Sequence, residues 1–359
     1  MQSKTMIALG SLLLATSALG QENVVNVYNW SDYIAEDTVA KFEAETGIKV
    51  NYDVYDNNEI VDAKLLAGNS GYDIIVPSGN FLERQIQAGL ILPLDKSKLT
   101  NLGNLDPSVM ATAAGQDPDN AHGVPYMINT IGYGYNVAKV TAALGADAPT
   151  DSWDLIFKPE YAEKLASCGI SLLDSPSEVT GIALHYLGLD PNSESAGDLA
   201  KAEELLNTIK PFIRYFHSSQ YIDDLGNGET CVALGYSGDI FIASDNAAEG
   251  VEVQYVIPRE GAATLFDFLA IPADAPHPDN AHTFINYILR PEVVAAITNY
   301  VFYANPNLPA LEFVDEEVKS NPGIYPPAET VAKAFVMRAH SPDFEEVLTR
   351  TWTRIKTGQ

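Results

Sequence analysis

Basic residues are scarce in this 359-residue chain: 21 lysines and arginines stand against 48 aspartates and glutamates, a formal net charge of −27. That shortage argues against nucleic-acid binding, which needs a basic face to neutralise phosphates, and against docking on anionic lipid. It leaves room for a cationic ligand, although solubility alone accounts for bulk acidity equally well. Long apolar runs are also missing. No window past the N-terminal segment supplies the roughly 20 uninterrupted apolar residues that cross a bilayer. Yet 46% of the residues are hydrophobic, far from the composition of a disordered acidic chain. A chain of this length divides its apolar residues between two domains, since single cores stop growing near about 250–300 residues.

Catalytic signatures are missing as well. The six histidines (His122, His185, His217, His277, His282 and His340) show no metal-ligand spacing, and His185 and His217 read as structural. Gly235-Tyr-Ser-Gly-Asp239 approaches a nucleophile elbow around Ser237, which would make an exported serine hydrolase. The elbow requires glycine where Asp239 stands. Gly132-Tyr-Gly134 lacks the third glycine of a dinucleotide loop. Asp117-Pro-Asp-Asn120 lacks the glycine and glutamate of a calcium loop and reads as a turn. Nothing implies a cofactor or a metal.

The N-terminus does carry a signal. Lys4, the apolar stretch Met6–Leu14 and the small residues of Ala18-Leu-Gly20 form a secretory signal peptide, residues 1–20, with cleavage after Gly20. The residue directly after that point is Gln21, not cysteine, which argues against a lipid anchor. The working chain is therefore expected to be exported, without direct membrane insertion. The two cysteines, Cys168 and Cys231, read as one disulfide in an oxidising compartment, with two buried free thiols as the alternative.

Strand and helix patterns alternate along the mature chain. Val24–Asn29, Ile48–Val54 and Tyr72–Val76 read as strands. Helices are expected from Asp37, as cap, to Gly47, over Asn58–Ala67 and over Phe81–Ala88. This order predicts an α/β fold with parallel, doubly wound sheet. Ile131–Asn136 reads as a strand crossing between lobes. Helices follow near residues 162–166, 179–187 and 199–209, with a strand at Val232–Gly235. Strands at 251–257 and 265–271 and helices at 281–289 and 293–301 complete the pattern, and the tail from 328 to 356 reads as one amphipathic helix. No flexible linker separates the halves, so the lobes should be joined by strands, with a cleft between them.

Three clusters place rings beside carboxylates near strand ends: Trp30-Ser-Asp-Tyr33, Tyr236-Ser-Gly-Asp239 and Phe266-Asp-Phe268. Ligands of open α/β sheets bind beyond the carboxyl ends of strands. Carboxylates there hold ammonium groups by charge-assisted hydrogen bonds, and rings cover methylenes and attract cations. An organic cation fits this pattern. An anion does not, because no arginine is matched to the clusters; Arg84, Arg214 and Arg259 read as salt-bridge partners.

At these residues the chain resembles the polyamine-binding proteins of bacterial ABC uptake systems, most of all the putrescine-binding branch. The resemblance is carried by Tyr28-Asn-Trp-Ser-Asp-Tyr33, Glu45-Thr-Gly-Ile-Lys-Val50, Asp73-Ile-Ile-Val-Pro-Ser78, Arg214-Tyr-Phe-His-Ser-Ser219 and Asn321-Pro-Gly-Ile-Tyr-Pro-Pro327. It implies a two-lobed, type II periplasmic binding fold and no enzymatic activity. Each lobe would be a mostly parallel sheet flanked by helices: 21–131 with about 251–300 in lobe 1, about 132–250 with about 301–359 in lobe 2. The implied partners are a polyamine ligand and the membrane permease subunits, and the implied state a monomer in the periplasm. By the same resemblance Trp30, Tyr33 and Tyr303 are ring walls, Ser31 and Asp32 engage one amine end, and Ser78 and Glu178 are polar residues of the pocket. Asp239 and Asp267 hold the other ammonium group, and Cys168 and Cys231 match a disulfide of the putrescine branch. Tyr236 stands where the family has tryptophan and Leu265 where it has an aromatic. Those departures leave room for a longer amine such as spermidine, cadaverine or agmatine.

Overall fold

The computed structural model describes residues 23–358, so the expected signal peptide lies outside the described residues. Among the described residues there are ten strands: β1 Val24–Trp30, β2 Lys49–Tyr55, β3 Ile74–Ile75, β4 Gly123–Asn136, β5 Ile170–Leu172, β6 Ile213–Phe216, β7 Val232–Tyr236, β8 Val253–Val256, β9 Ala263–Ala270 and β10 Phe335–Val336. They form one curled sheet in the order β2-β1-β3-β9-β4-β7-β5-β6, with β8 paired to β4 and β10 to β9. The two ends, β2-β1-β3 and β7-β5-β6, are parallel, as strand–helix–strand connections require. The middle is antiparallel. β9 pairs with β3 and β4, and β4 pairs with β7 and β8.

The expected crossing strand is therefore the inner half of β4. This 14-residue strand pairs with β9 up to Ile131 and with β7 from Ile131 onward, so it belongs to both lobes. Its Gly132 permits a close approach, because a Cβ there would stand 2.1 Å from the Val256 carbonyl oxygen. The glycines of this segment serve strand packing.

Most of the expected helices form, with shifts of one to three residues at their ends. Two details differ. Asp37 does not cap the helix Thr38–Thr46; its carboxylate instead pairs with Lys41, one turn on, at 2.6 Å. Gly47, at φ 71°, ends that helix as expected. The tail is not one helix. A short turn at Ala328–Val331 leads into β10, whose Phe335 and Val336 pair with Ala263 and Thr264, and only then does the helix Pro342–Thr357 begin. Pro342, which lacks an N–H, stands at the first helical turn, where none is needed. A local pattern of apolar spacing could not reveal that β9 offers the intervening residues a strand partner.

Cys168 and Cys231 are bonded, with Cα atoms 5.5 Å apart, which ties the end of the helix Pro159–Leu165 to the start of β7. Ion pairs tie the C-terminal segment to the first part of the chain. Arg84 bridges Asp62 at 2.9 Å and Glu345 at 3.0 Å, and Arg338 pairs with Glu83 at 2.7 Å.

Candidate ligand-binding site

Asp267 lies in β9 between Phe266 and Phe268 and is 2% exposed. It accepts hydrogen bonds from Tyr33 Oη at 2.5 Å, Ser78 Oγ at 2.6 Å and Asn129 Nδ2 at 2.9 Å. Burial pushes its carboxyl up to about 6, against the opposing pull of those three donors. Ser78 reaches it because the end of β3 turns through Pro77 and bridges Asp267 itself.

Asp239 sits in the first turn of the helix Ser237–Asp245, directly after β7. Tyr221 Oη donates to it at 2.7 Å and Tyr303 Oη at 2.8 Å. Burial raises this carboxyl to about 7, and the charge of Asp32 adds to the rise. The phenols of Tyr33, Tyr221 and Tyr303 are held far above their ordinary range by burial, so each is a donor to its carboxylate. Gly238 makes the Tyr303 contact possible: a Cβ at that position would stand 2.2 Å from the Tyr303 ring.

Rings close the remaining sides. Trp30, whose indole N–H donates to the Val76 carbonyl at 2.7 Å, faces Tyr236 with centroids 6.0 Å apart. Tyr33 meets Tyr303 edge to face at 4.9 Å. Together these residues line a cavity of about 370 Å³, mouth included.

Nine of the eleven residues singled out from sequence line this cavity: Trp30, Ser31, Tyr33, Ser78, Tyr236, Asp239, Leu265, Asp267 and Tyr303. Two do not. Glu178, 1% exposed, stands behind the wall, where it accepts a hydrogen bond from Tyr236 Oη at 2.7 Å. Burial raises its carboxyl to about 7. Asp32 is exposed on the rim, in a neighbouring pocket shared with Asp223. The cause is local: Asp32 takes the left-handed conformation at φ 53°, turning the chain out of β1.

Sequence reasoning missed Asp56, Asn129 and Ser218 in the lining, and Tyr221 behind Asp239. Asn129 had a signal, being polar in a nearly continuous buried strand directly opposite Leu265. Glu59 was missed too. Its carboxyl is raised to about 8 by burial and by the charge of Glu178, and one of its oxygens has no partner among the described residues.

The lining contains three carboxylates and neither lysine, arginine nor histidine. Two of the acids, Asp239 and Asp267, are buried without a counter-ion among the described residues. Such a site is poised for an organic cation, which would supply the charge that the protein withholds. Ser237 opens the helix that follows β7. It lies 3.4 Å from the Thr130 amide, which donates to it, and no histidine hydrogen-bonds it among the described residues.

A family model described as bacterial extracellular solute-binding protein matches residues 37–326. The chain belongs to this family. Among its relatives, the putrescine-binding periplasmic protein PotF of Escherichia coli (strain K12) is 54% identical, over 98% of this chain and 96% of that one. The putrescine-binding periplasmic protein SpuD of Pseudomonas aeruginosa (strain UCBPP-PA14) is 50% identical, over 99% and 98%. The solved spermidine/putrescine ABC transporter substrate-binding protein PotD of Streptococcus pneumoniae superposes with a TM-score of 0.75 at 29% identity, covering 93% of this chain and 98% of that one. The α/β architecture described above is thus the two-lobed type II fold of solute-binding proteins.

Proposed function

We propose that this protein is a periplasmic solute-binding protein that captures putrescine between its lobes and delivers it to the permease of an ABC transporter. The observation that carries this reading is the pair of buried carboxylates, Asp239 and Asp267, lining one ring-walled cavity that contains no cationic side chain. Each would hold an ammonium group, while Trp30, Tyr33, Tyr236 and Tyr303 cover the methylene chain. Asp32 stays on the rim outside the cavity, and Glu178 orients Tyr236. The full-length similarity to putrescine-binding proteins supports the same ligand. It also supports export through the cleaved N-terminal segment, and a role in transport without catalysis.

In this reading lobe 1 comprises residues 21–131 and about 251–300, and lobe 2 about 132–250 and about 301–359, with two exceptions. Strand β8 goes with lobe 2, because it pairs with β4 over Tyr133–Asn136. Residues 305–314 go with lobe 1, because Asn307 bridges Leu105 and donates to the Leu289 carbonyl.

A second reading, a longer amine, is favoured by Leu265, which replaces a ring with an aliphatic side chain in the cavity wall. Calorimetry with putrescine, cadaverine, agmatine, spermidine and spermine distinguishes the two. Putrescine should bind most tightly; a panel in which no amine binds would reject the function.

A further inference from the structure

Alternation along the two strands at the hinge creates a second face. In β9 Leu265 and Asp267 look into the binding cavity, while Thr264 and Phe266 line a separate cavity behind the sheet. Ile128 and Thr130 of β4 do the same. This rear cavity is larger than the front one, about 1140 Å³ including its mouth.

Its walls come from both lobes. The helix Pro107–Ala113 and the segment around Leu308 and Leu311 form one side. Ser237 and the stretch Ile324–Pro326 form the other, and Gly323, next to that stretch, packs under Phe241 and Tyr255.

The chemistry of the two cavities is opposite. Most of the surface that the rear one exposes is apolar. The only ionisable carboxylate in its lining, Asp106, is already committed, accepting from the amide and hydroxyl of Ser108 at 2.7 Å each. No basic residue lines it. A polyammonium ion or an anion therefore finds no counter-charge there. Two polar groups are unspent among the described residues, the Tyr325 hydroxyl and the side-chain oxygen of Asn129. Asn129, which lines both cavities and is 5% exposed, donates its amide nitrogen to Asp267, but its side-chain oxygen is buried with no partner among the described residues. A buried acceptor of this kind calls for a donor.

We infer that the cavity behind the hinge is a second ligand site, for a small neutral molecule that is mostly apolar and carries one hydrogen-bond donor, and that filling it favours the closed arrangement of the lobes. The coupling follows from geometry. β4 pairs with β9 through one half and with β8 through the other, so the lobes turn about β4 and the segment that joins β8 to β9, and opening the front cleft narrows the space behind them. A molecule seated there resists opening. Occupation of the rear site then tightens binding in the front cleft, and by linkage the front ligand tightens the rear one equally.

The coupling rests on putrescine being the front ligand; the rear site itself does not. Indole, apolar with one N–H donor, is a suitable probe. Calorimetry should show indole binding to putrescine-loaded protein, and saturating indole should raise putrescine affinity by about five-fold. Val109→Trp, which fills the cavity from the helix Pro107–Ala113, should abolish indole binding and raise putrescine affinity by a similar factor. Leu311→Trp serves the same purpose if the first variant does not fold. Indole that does not bind the loaded protein, that competes with putrescine, or that leaves putrescine affinity unchanged overturns the inference. So do folded tryptophan variants with unaltered putrescine affinity. If putrescine fails to bind the wild-type protein, the functional reading fails instead, and indole binding to the wild type but not to Val109→Trp still decides the rear site.

Discussion

Lowering the pH from 8 to 5 should release putrescine from the cleft. With the cavity free of cations, burial raises the Asp267 carboxyl to about 6 and that of Asp239 to about 7. An ammonium ion stabilises only the ionised forms, so binding at low pH must first remove these protons. At pH 5 roughly one Asp267 in ten and one Asp239 in a hundred is ionised, whereas at pH 8 both are nearly fully charged. The apparent affinity should fall by about 1,000-fold, or roughly 4 kcal/mol. At pH 6.5 the two groups together carry about one proton, and binding should release it. Calorimetry in buffers of different ionisation enthalpy measures both quantities. An affinity that is flat from pH 5 to 8, with no proton released near pH 6.5, would refute the assignment of these carboxylates as the ammonium holders. Stability should respond in the matching direction. Raised carboxyl values mean that the free folded protein is stabilised by protonation below the ordinary carboxylate range and loses that contribution as pH rises through 6 to 7. The rise in melting temperature caused by putrescine should therefore be larger at pH 8 than at pH 5.

Asp239→Asn or Asp267→Asn should weaken putrescine by at least about 30-fold, since each leaves a desolvated ammonium without its counter-charge; unchanged calorimetric affinity in both would reject the site. Gly238→Ala should cost about 10-fold or more in affinity by pushing the Tyr303 ring off Asp239, an effect that a crystal structure of the variant with Tyr303 in place would disprove. Leu265→Phe should restore a ring to the cavity wall and shift selectivity about 3- to 10-fold toward putrescine over spermidine in a competition assay; a shift toward spermidine counts against the wall argument. Removing the disulfide with a Cys168→Ser, Cys231→Ser double variant should lower urea-measured stability by about 4 kcal/mol, because the bridge closes a loop with a sequence separation of 63. Putrescine affinity should stay near the wild-type value, and a stability loss under 1 kcal/mol would contradict the chain-entropy account.

Much of this molecule was legible one segment at a time. Strands and helices in the first lobe follow from apolar spacing and from stops such as Gly47, which needs no partner far away to act. Ring-and-acid clusters pointed to Asp239 and Asp267 because each acid sits beside its aromatic neighbours in the chain. The failures share one physical cause: they depend on contacts between distant segments. The tail was read as a single helix because nothing local says that Phe335 and Val336 will pair with Ala263 and Thr264. Asp32 belonged to the right cluster, but its backbone turn puts it on the rim. Tyr221 donates to Asp239 from another element, and no spacing rule connects the two.

The sequence by itself determined that the chain is rich in acid, organised as alternating strands and helices, and equipped with rings beside carboxylates. Those are properties of composition and of short-range order. Only the tertiary structure decided which acids matter. It buries Asp239 and Asp267 without a counter-ion while leaving Asp32 near water, and burial is what separates a carboxylate that needs a ligand from one that water already satisfies. It also gave the sheet its second face, where the neighbours of the site residues line a cavity of opposite chemistry.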